Sequence, residues 1–393
     1  MRTSFALAGL VLLAGSWAAS AGGDLSNAIG KALFERAWVP APSSTKANDG
    51  LGPLFNARAC ASCHQGLDRT APSVDAEGRF VHPGMVAKLS DGAGEADPVY
   101  GAQVQTAAVQ NFTPEGRLRE TAAGLELADL AYGPLAAATR VGLRAAPSLC
   151  GIGRLAEAPD AAILMGADPD DRDGDGISGR VNWVVGEGGR PRIGRFGLKA
   201  SSADLRRQVE LGFALDIGMS TPDFPAPEGD CPTSDCRAAP HGGTAADPEV
   251  RGDLVAMLTG YLADVPPPPA AAPDAAGAAL FASTGCAACH TPSLPSPRGA
   301  VGAFTDLLLH DLGPALDGGA TERGVAPAEW RTAPLWGISR ALRDGAGLLH
   351  DGRATGVEEA VALHGGEAAG SRDRMHGLAA ADRQRLVDYV RGL

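Results

Sequence analysis

Aromatic residues make up only 5% of this 393-residue chain, so large rings cannot supply most of its core. Positive charge is short as well. There are 34 Lys and Arg against 46 Asp and Glu, which gives a formal net charge of −12. That balance argues against nucleic acid and anionic membrane surfaces as partners, while permitting a basic redox protein. Beyond the N-terminus, no apolar run approaches the length that spans a bilayer. Gly (53) and Pro (29) are plentiful beside a 45% hydrophobic fraction, so the chain is loop-rich yet too apolar for wholesale disorder.

Residues 1–21 read as an export signal: Arg2 is the positive end, Phe5 to Ala14 the apolar run, and Ala19-Ser20-Ala21 the cleavage site. The expectation is a periplasmic protein without a transmembrane segment.

One phrase occurs twice. Leu54-Phe55 precedes Cys60-Ala61-Ser62-Cys63-His64, and Leu280-Phe281 precedes Cys286-Ala287-Ala288-Cys289-His290 at the same offset. C-x-x-C-H is the attachment sequence of c-type haem. The two thiols add across the vinyl groups, and the adjoining histidine reaches the iron as proximal ligand. A zinc site or a thiol redox pair would not need His next to the second Cys in both copies. Two covalently bound haems c follow, on Cys60, Cys63 and His64 and on Cys286, Cys289 and His290. Assembly of such proteins outside the bacterial inner membrane agrees with export. Of the other cysteines, Cys231 and Cys236 are expected to form a short-loop disulfide, and Cys150 to be an inert buried thiol.

Leu254-Val255-Ala256-Met257-Leu258 resembles Leu386-Val387-Asp388-Tyr389-Val390, each with the apolar spacing of one buried helix face. Each half therefore closes on a similar helix. The expected fold is mainly α, with two cytochrome c-like domains. Residues 22–265 form the first and carry an insertion at about 66–245 with minor β structure, such as Val181 to Val185. A stiff Pro-rich linker spans 266–273. Residues 274–393 form the second domain. Within it, Thr355 and Glu358 are expected to cap a helix that Gly365 and Gly366 end. Val357, Ala360, Val361 and His364 share its apolar face, where His364 can meet a haem.

At this point the chain resembles the bacterial di-haem cytochrome c peroxidase and MauG-like superfamily, most closely its di-haem oxidoreductase branch, often labelled "thiol oxidoreductase". The resemblance rests on Asp306-Leu307-Leu308-Leu309-His310-Asp311-Leu312-Gly313, Trp330 to Gly337, His350-Asp351-Gly352-Arg353 and His364-Gly365-Gly366-Glu367. Arg144 to Gly153 and Asp168 to Arg180 also look like that branch. The peroxidases present a Met to the C-terminal haem where this chain has His364, so the resemblance implies a His290/His364 axial pair and a low-potential, low-spin haem. His310 and His350 match motifs as propionate or interface residues.

The same resemblance implies that peroxide or O2 reacts at the N-terminal haem while the C-terminal haem stores and passes electrons. The donor would be a small cytochrome c-like protein or a protein substrate. For the distal side of the first iron the candidates are His82 and Met85, against a reading of both as loop residues. Gln103, Gln105 and Glu115 are candidates for assisting O–O cleavage, against a reading as solvated loop residues. Between the haems Trp38, Trp183, Trp330, Trp336, Tyr100 and Tyr132 remain open choices. The cysteine count gives the "thiol" label little support. A purely electron-transfer di-haem cytochrome c is the alternative function.

Asp171, Asp173, Asp175 and the carbonyl of Ile177 resemble the start of a Ca2+ loop, but Asn182 stands where an EF-hand needs Glu. A looser Ca2+ site and a solvated acidic turn both remain open. Thr332-Ala333-Pro334 resembles a segment that helps hold an interdomain Ca2+ in the peroxidases.

Overall fold

The computed structural model describes residues 23–76, 80–82, 84–121, 124–226, 231 and 233–393. The expected export signal lies outside them. Among the described residues no helix is long and apolar enough to cross a membrane.

Two helix crossings frame the chain. Residues 23–35 form a helix that meets Gly252–Asp264, the first of the repeated closing helices. The contact depends on Gly30, where a Cβ would come within 2.6 Å of Tyr261 Cβ. Phe34 and Tyr261 rings pack beside it with centroids 6.1 Å apart. The second half repeats the device. Ala275–Ser283, capped by Asp274 on the amide of Ala276 (3.1 Å), crosses Ala380–Arg391. Here Gly277 lies so close that a Cβ would meet Tyr389 Cβ at 2.6 Å. Val255, Leu258 and Leu262 are buried on one closing helix, and Leu386 and Val387 on the other. Each missing side chain thus allows the backbones to close over an apolar face.

The expectation of a mainly α fold is corrected by the structure, which is 32% helix and 17% strand, with many short strands. Most of the strands fall between His64 and Ile193. Arg140–Ala145, Met85–Ser90 and Gln103–Val104 form a three-stranded antiparallel sheet. Met85, Ala87 and Leu89 alternate into a buried cluster with Tyr100, Val104 and Leu118. Arg117–Thr121 and Gly124–Ala128 pair antiparallel. Shorter pairs join Leu54–Phe55 to Ala107–Ala108, Trp183–Val185 to Pro191–Ile193, and Leu309–Asp311 to Glu329–Arg331. The physical reason for the discrepancy is mostly length: two- and three-residue strands satisfy backbone groups locally without establishing a period, and in the longer Met85–Ser90 the adjacent apolar Val86 and Ala87 blur the alternation.

The largest apolar cluster combines Leu33, Phe34, Trp38 and Leu258 with Leu294, Val301, Leu307 and Trp336, so it draws on both ends of the chain. The Pro-rich stretch lies against the fold: a Cβ on Gly151 would meet Pro267 at 3.0 Å, and one on Gly337 would meet Pro268 at 2.9 Å. Cys231 and Cys236 are disulfide-bonded, and Cys150 is buried.

The helix before His364 starts and stops one step away from its expected bounds. It spans Val357–Ala362 with Gly356 as N-cap, and Glu359, not Glu358, accepts from Thr355 N (2.7 Å) and Oγ1 (2.8 Å). Glu359 sits at the third helical position, from which a carboxylate reaches back over the first turn. Glu358 instead pairs with Arg383 at the surface. His364 stands just past the C-cap, Leu363.

Candidate functional site

The two C-x-x-C-H copies fold alike at short range. Cys60–Cys63 makes a single helical turn, and His64 N donates to Cys60 O (3.1 Å). Cys286–Ala288 makes a 3-10 turn, and His290 N donates to Cys286 O (2.9 Å). Each histidine ring is then fixed by a backbone carbonyl. His64 Nδ1 lies 2.9 Å from Pro147 O, and His290 Nδ1 lies 3.0 Å from Phe304 O. A carbonyl only accepts, so the proton sits on Nδ1 and the Nε2 lone pair is left free for a metal. Burial holds both rings neutral by pushing their pKa down to about 4.

The thiols behave unlike a redox pair. Cys60 and Cys63 are pushed up to about 12, first by burial and then by the charge of Asp216, and burial also raises Cys286. A catalytic C-x-x-C needs the opposite shift. Thiols with raised pKa at Cys60, Cys63 and Cys286, beside neutral, carbonyl-anchored imidazoles, fit haem attachment.

Next to the second copy opens an apolar cavity of about 310 Å3, measured to water centres. Cys286, Cys289, His290, Val357, Ala360, Val361 and His364 all contribute to its wall. His364 repeats the proximal pattern: Nδ1 lies 2.7 Å from Ala360 O, and burial lowers its pKa. The two histidines are near enough that charge on His364 disfavours charge on His290. The structure thus brings His290 and His364 to one apolar space with both Nε2 atoms unprotonated.

His310 is a different kind of histidine. Nε2 lies 2.9 Å from Asp306 Oδ2 and Nδ1 lies 2.7 Å from Glu367 Oε2, so both ring nitrogens donate. Burial opposes protonation, but Asp306, the Cys289 sulfur and Glu367 override it and raise the pKa to about 12. Glu367 also accepts from Ser178 N (3.0 Å), Ser178 Oγ (2.9 Å) and Asp311 N (3.0 Å). His310 packs on Gly179, where a Cβ would fall 2.6 Å from its Cε1. The Cys289, Asp306 and His310 donor atoms lie within 4.8 Å of one another, which places this cation beside the attachment cysteine.

His350 stacks on Trp330, with centroids 3.9 Å apart and planes at 12°. Burial pushes its pKa down to about 3. Lys199 Nζ lies 3.4 Å from the Trp330 centroid and donates to Ala326 O (3.0 Å), Pro327 O (2.9 Å) and Glu329 O. Burial first, then Arg144, brings Lys199 down to about 7. Of the bridging candidates, Trp330 and Trp336 line the cavity. Trp38 belongs to the main core and Trp183 is 57% exposed. Tyr100 and Tyr132 pack on each other in the β region.

Around the first copy, the side chain of His82 lies outside the described residues, and Met85 is part of the apolar cluster. Gln103, Gln105 and Glu115 are buried. Gln103 Nε2 donates to Leu215 O (2.8 Å) and Asp216 Oδ1 (2.9 Å), Gln105 Nε2 to Leu215 O (2.9 Å), and Glu115 Oε2 accepts from Gln105 N (2.8 Å). Together they fasten a strand to the π-helical turn Phe213–Ile217. Asp216, on that turn, is the residue that sequence reasoning missed. Burial raises its carboxyl pKa, and its charge reaches both Cys60 and Cys63. Its signal was a single carboxylate within Leu211-Gly212-Phe213-Ala214-Leu215-Asp216-Ile217, and π-turns recur at functional sites.

Asp171, Asp173 and Asp175 bring their carboxylates within 4.8 Å of one another. They also bind their own turn: Asp171 accepts from Gly176 N (3.1 Å) and Asp175 from Ile177 N (2.8 Å). Ile177 reaches the cavity wall. Thr332 O already accepts from Thr305 Oγ1 at 2.6 Å.

With this geometry in view, comparison with protein families matches residues 19–89 and 128–393 to the family described as "Di-haem oxidoreductase, putative peroxidase". The chain belongs to the di-haem oxidoreductase family. Membership implies haem cofactors and a redox role. Both C-x-x-C-H copies, His310, His350 and His364 fall inside the matched stretches, whereas Gln103 and Glu115 fall outside them. No curated protein matches the chain. Among solved structures, a chain of Kuenenia stuttgartiensis hydrazine synthase, from a crystal pressurised with 20 bar xenon, is 14% identical with a TM-score of 0.38. That match covers 93% of this chain and 92% of the other.

Proposed function

We propose that this family member is a periplasmic enzyme with two covalently bound haems c. It reduces peroxide or O2 at the Cys60–His64 haem and stores and passes electrons at the Cys286–His290 haem. One observation carries the reading: the two attachment sites are alike at the proximal histidine and unlike beyond it. His290 shares its cavity with a second neutral histidine, His364. The surroundings of Cys60 and Cys63 instead hold Asp216 in contact with Gln103.

When bound, the haems supply the redox chemistry that the side chains cannot. The chain's own residues hold and orient. Pro147 and Phe304 carbonyls keep His64 and His290 in the metal-binding tautomer, and Ala360 does the same for His364. Asp216, whose carboxyl pKa burial raises, is the group we assign to proton transfer towards a leaving oxygen, and Gln103 Nε2 fixes that carboxyl's direction. Peroxide consumes two electrons and two protons and yields two waters; a small basic redox protein, or a protein side chain, supplies the electrons. The Asp171–Asp173–Asp175 loop belongs to the reading as a Ca2+ site.

The test starts with a pyridine haemochrome count of the mature protein. Ferric spectra are then recorded with and without cyanide and peroxide. The expected result is two haems, one low-spin and inert, one that binds both ligands. If neither haem binds an exogenous ligand in any redox state, the protein is an electron-transfer cytochrome and not an enzyme.

A further inference from the structure

Two arginines of the cavity wall are part-buried and have no carboxylate bonded to them among the described residues. Arg69 donates from one Nη to Leu349 O (2.7 Å), and its buried Nε has no partner. Arg331 donates from Nε to Gly197 O (3.0 Å) and from an Nη to Thr332 O (3.0 Å). Among the described residues neither makes an ion pair. Burial pushes each guanidinium down to about 10, a sign of how poorly solvated both are.

The carboxylates nearest to them are already engaged. Asp68 pairs with Arg340 (3.1 Å), Asp351 with Arg353 (2.5 Å) and Asp306 with His310 (2.9 Å). A poorly solvated cation without a counter-ion is unfavourable, so a chain rarely leaves two in one apolar space. Arg cannot escape by losing its proton. Bonded anions can reach both from whatever fills the cavity that they line together with Cys286, Cys289 and His290.

We infer that Arg69 and Arg331 are the anchors of the two propionates of the C-terminal haem. The inference rests on the two-haem reading and assigns residues within it. The chemistry matches: each propionate is a carboxylate on an otherwise apolar ring, and a guanidinium fork binds a carboxylate in two places. Arg69 lies five residues after His64, so one propionate of the second haem is held by the segment that carries the first haem's ligand. These are positioning residues. They orient the ring and offset its negative charge, which favours the ferrous state.

The experiment uses the haem-loaded full chain and its Arg69→Gln, Arg331→Gln, Arg69→Lys and Arg331→Lys variants. Peptide mass mapping first establishes haem on Cys286 and Cys289. EPR-monitored redox titration then reads the midpoint of the low-spin haem, and resonance Raman reads the propionate-bending bands. Each Gln variant is expected to lower the midpoint and shift a propionate band. Each Lys variant keeps the charge, so it is expected to load, hold the midpoint and still shift the band, which preserves the test where a Gln variant does not accumulate. Loaded wild-type protein whose variants all keep its propionate bands, with midpoints unmoved in those that load, overturns the anchor assignment alone. Wild-type protein without haem on Cys286 and Cys289 overturns the two-haem reading and the anchors with it.

Discussion

Replacing Glu367 with Gln keeps the shape of the side chain and removes its charge from beneath His310. The wild-type carboxylate accepts four hydrogen bonds, from His310 Nδ1, Ser178 N, Ser178 Oγ and Asp311 N, at 2.7 to 3.0 Å. Gln retains one acceptor oxygen and turns an NH2 towards donors. Breaking a buried charge pair costs about 3–5 kcal/mol. Asp306 still holds the other ring nitrogen, so the lower end, about 3 kcal/mol, is the expected loss. Urea unfolding at neutral pH reads it as a lower midpoint at unchanged slope. Glu358→Gln, the same change in an exposed pair with Arg383, is the control, with an expected loss of about 0–1 kcal/mol. The pH dependence has a fixed sign. The folded pKa of His310 is raised to about 12, against about 6.5 for an unperturbed His. Its stabilisation is therefore complete below about 6.5 and is lost as pH climbs towards 12. Glu367→Gln, with a smaller rise, loses less over that window. A loss below about 1 kcal/mol, or a gap from wild type that widens with rising pH, refutes a protonated His310 held between two carboxylates.

Three further outcomes follow from the site. His364→Ala should convert the C-terminal ferric haem from low-spin to high-spin in EPR, and an unchanged low-spin signal means another residue is its ligand. Asp216→Asn removes the carboxyl assigned to proton transfer and should reduce peroxide turnover by roughly 10²–10⁴-fold with haem content intact; full activity would leave Asp216 a structural residue. Removing Ca2+ with a chelator should lower the melting temperature and re-addition restore it, with Asp173→Asn insensitive to both, whereas a melting curve that ignores the chelator leaves the acidic loop as a solvated turn.

Some of this molecule was legible from its residues, for identifiable reasons. Covalent attachment forces Cys, Cys and His into one short phrase, so the two copies stand out without any knowledge of the fold. The closing helices also show as a repeat, because a buried helix face imposes its own spacing. What makes them dock does not show: Gly30 and Gly277 are two of 53 glycines, and only the approach of Tyr261 and Tyr389 distinguishes them. The short strands between His64 and Ile193 left too little alternation to read, which is why helix dominated the expectation. The cap on the Val357–Ala362 helix slipped by one residue because Gly356 takes the N-cap, and either Glu358 or Glu359 suits the motif. Arg69 and Arg331 have no local signature at all, and Asp216 has only its place as one carboxylate in an apolar run. Their meaning lies in partners that are distant in sequence or absent from the chain.

The β region that sequence patterning underestimated is also what makes the two haem sites unequal. His290 is anchored by Phe304, 14 residues away, whereas His64 is anchored by Pro147 across 83 residues. Pro147 follows the strand Arg140–Ala145, which is held against Met85–Ser90, and Ala146 N donates to Gly84 O at 2.9 Å. Gln103 leaves the third strand of the same sheet to reach Asp216. The first proximal histidine and the polar groups near its cysteines therefore depend on one sheet, while the second site takes its proximal anchor and His364 from neighbours in sequence and only part of its cavity wall, such as Arg69 and Ala145, from the N-terminal half. Loosening the sheet, for example with Ala87→Asp at a fully buried position, should disturb the first haem's spectrum before the second's. Equal disturbance of both would mean that the sheet serves the whole fold and not one site.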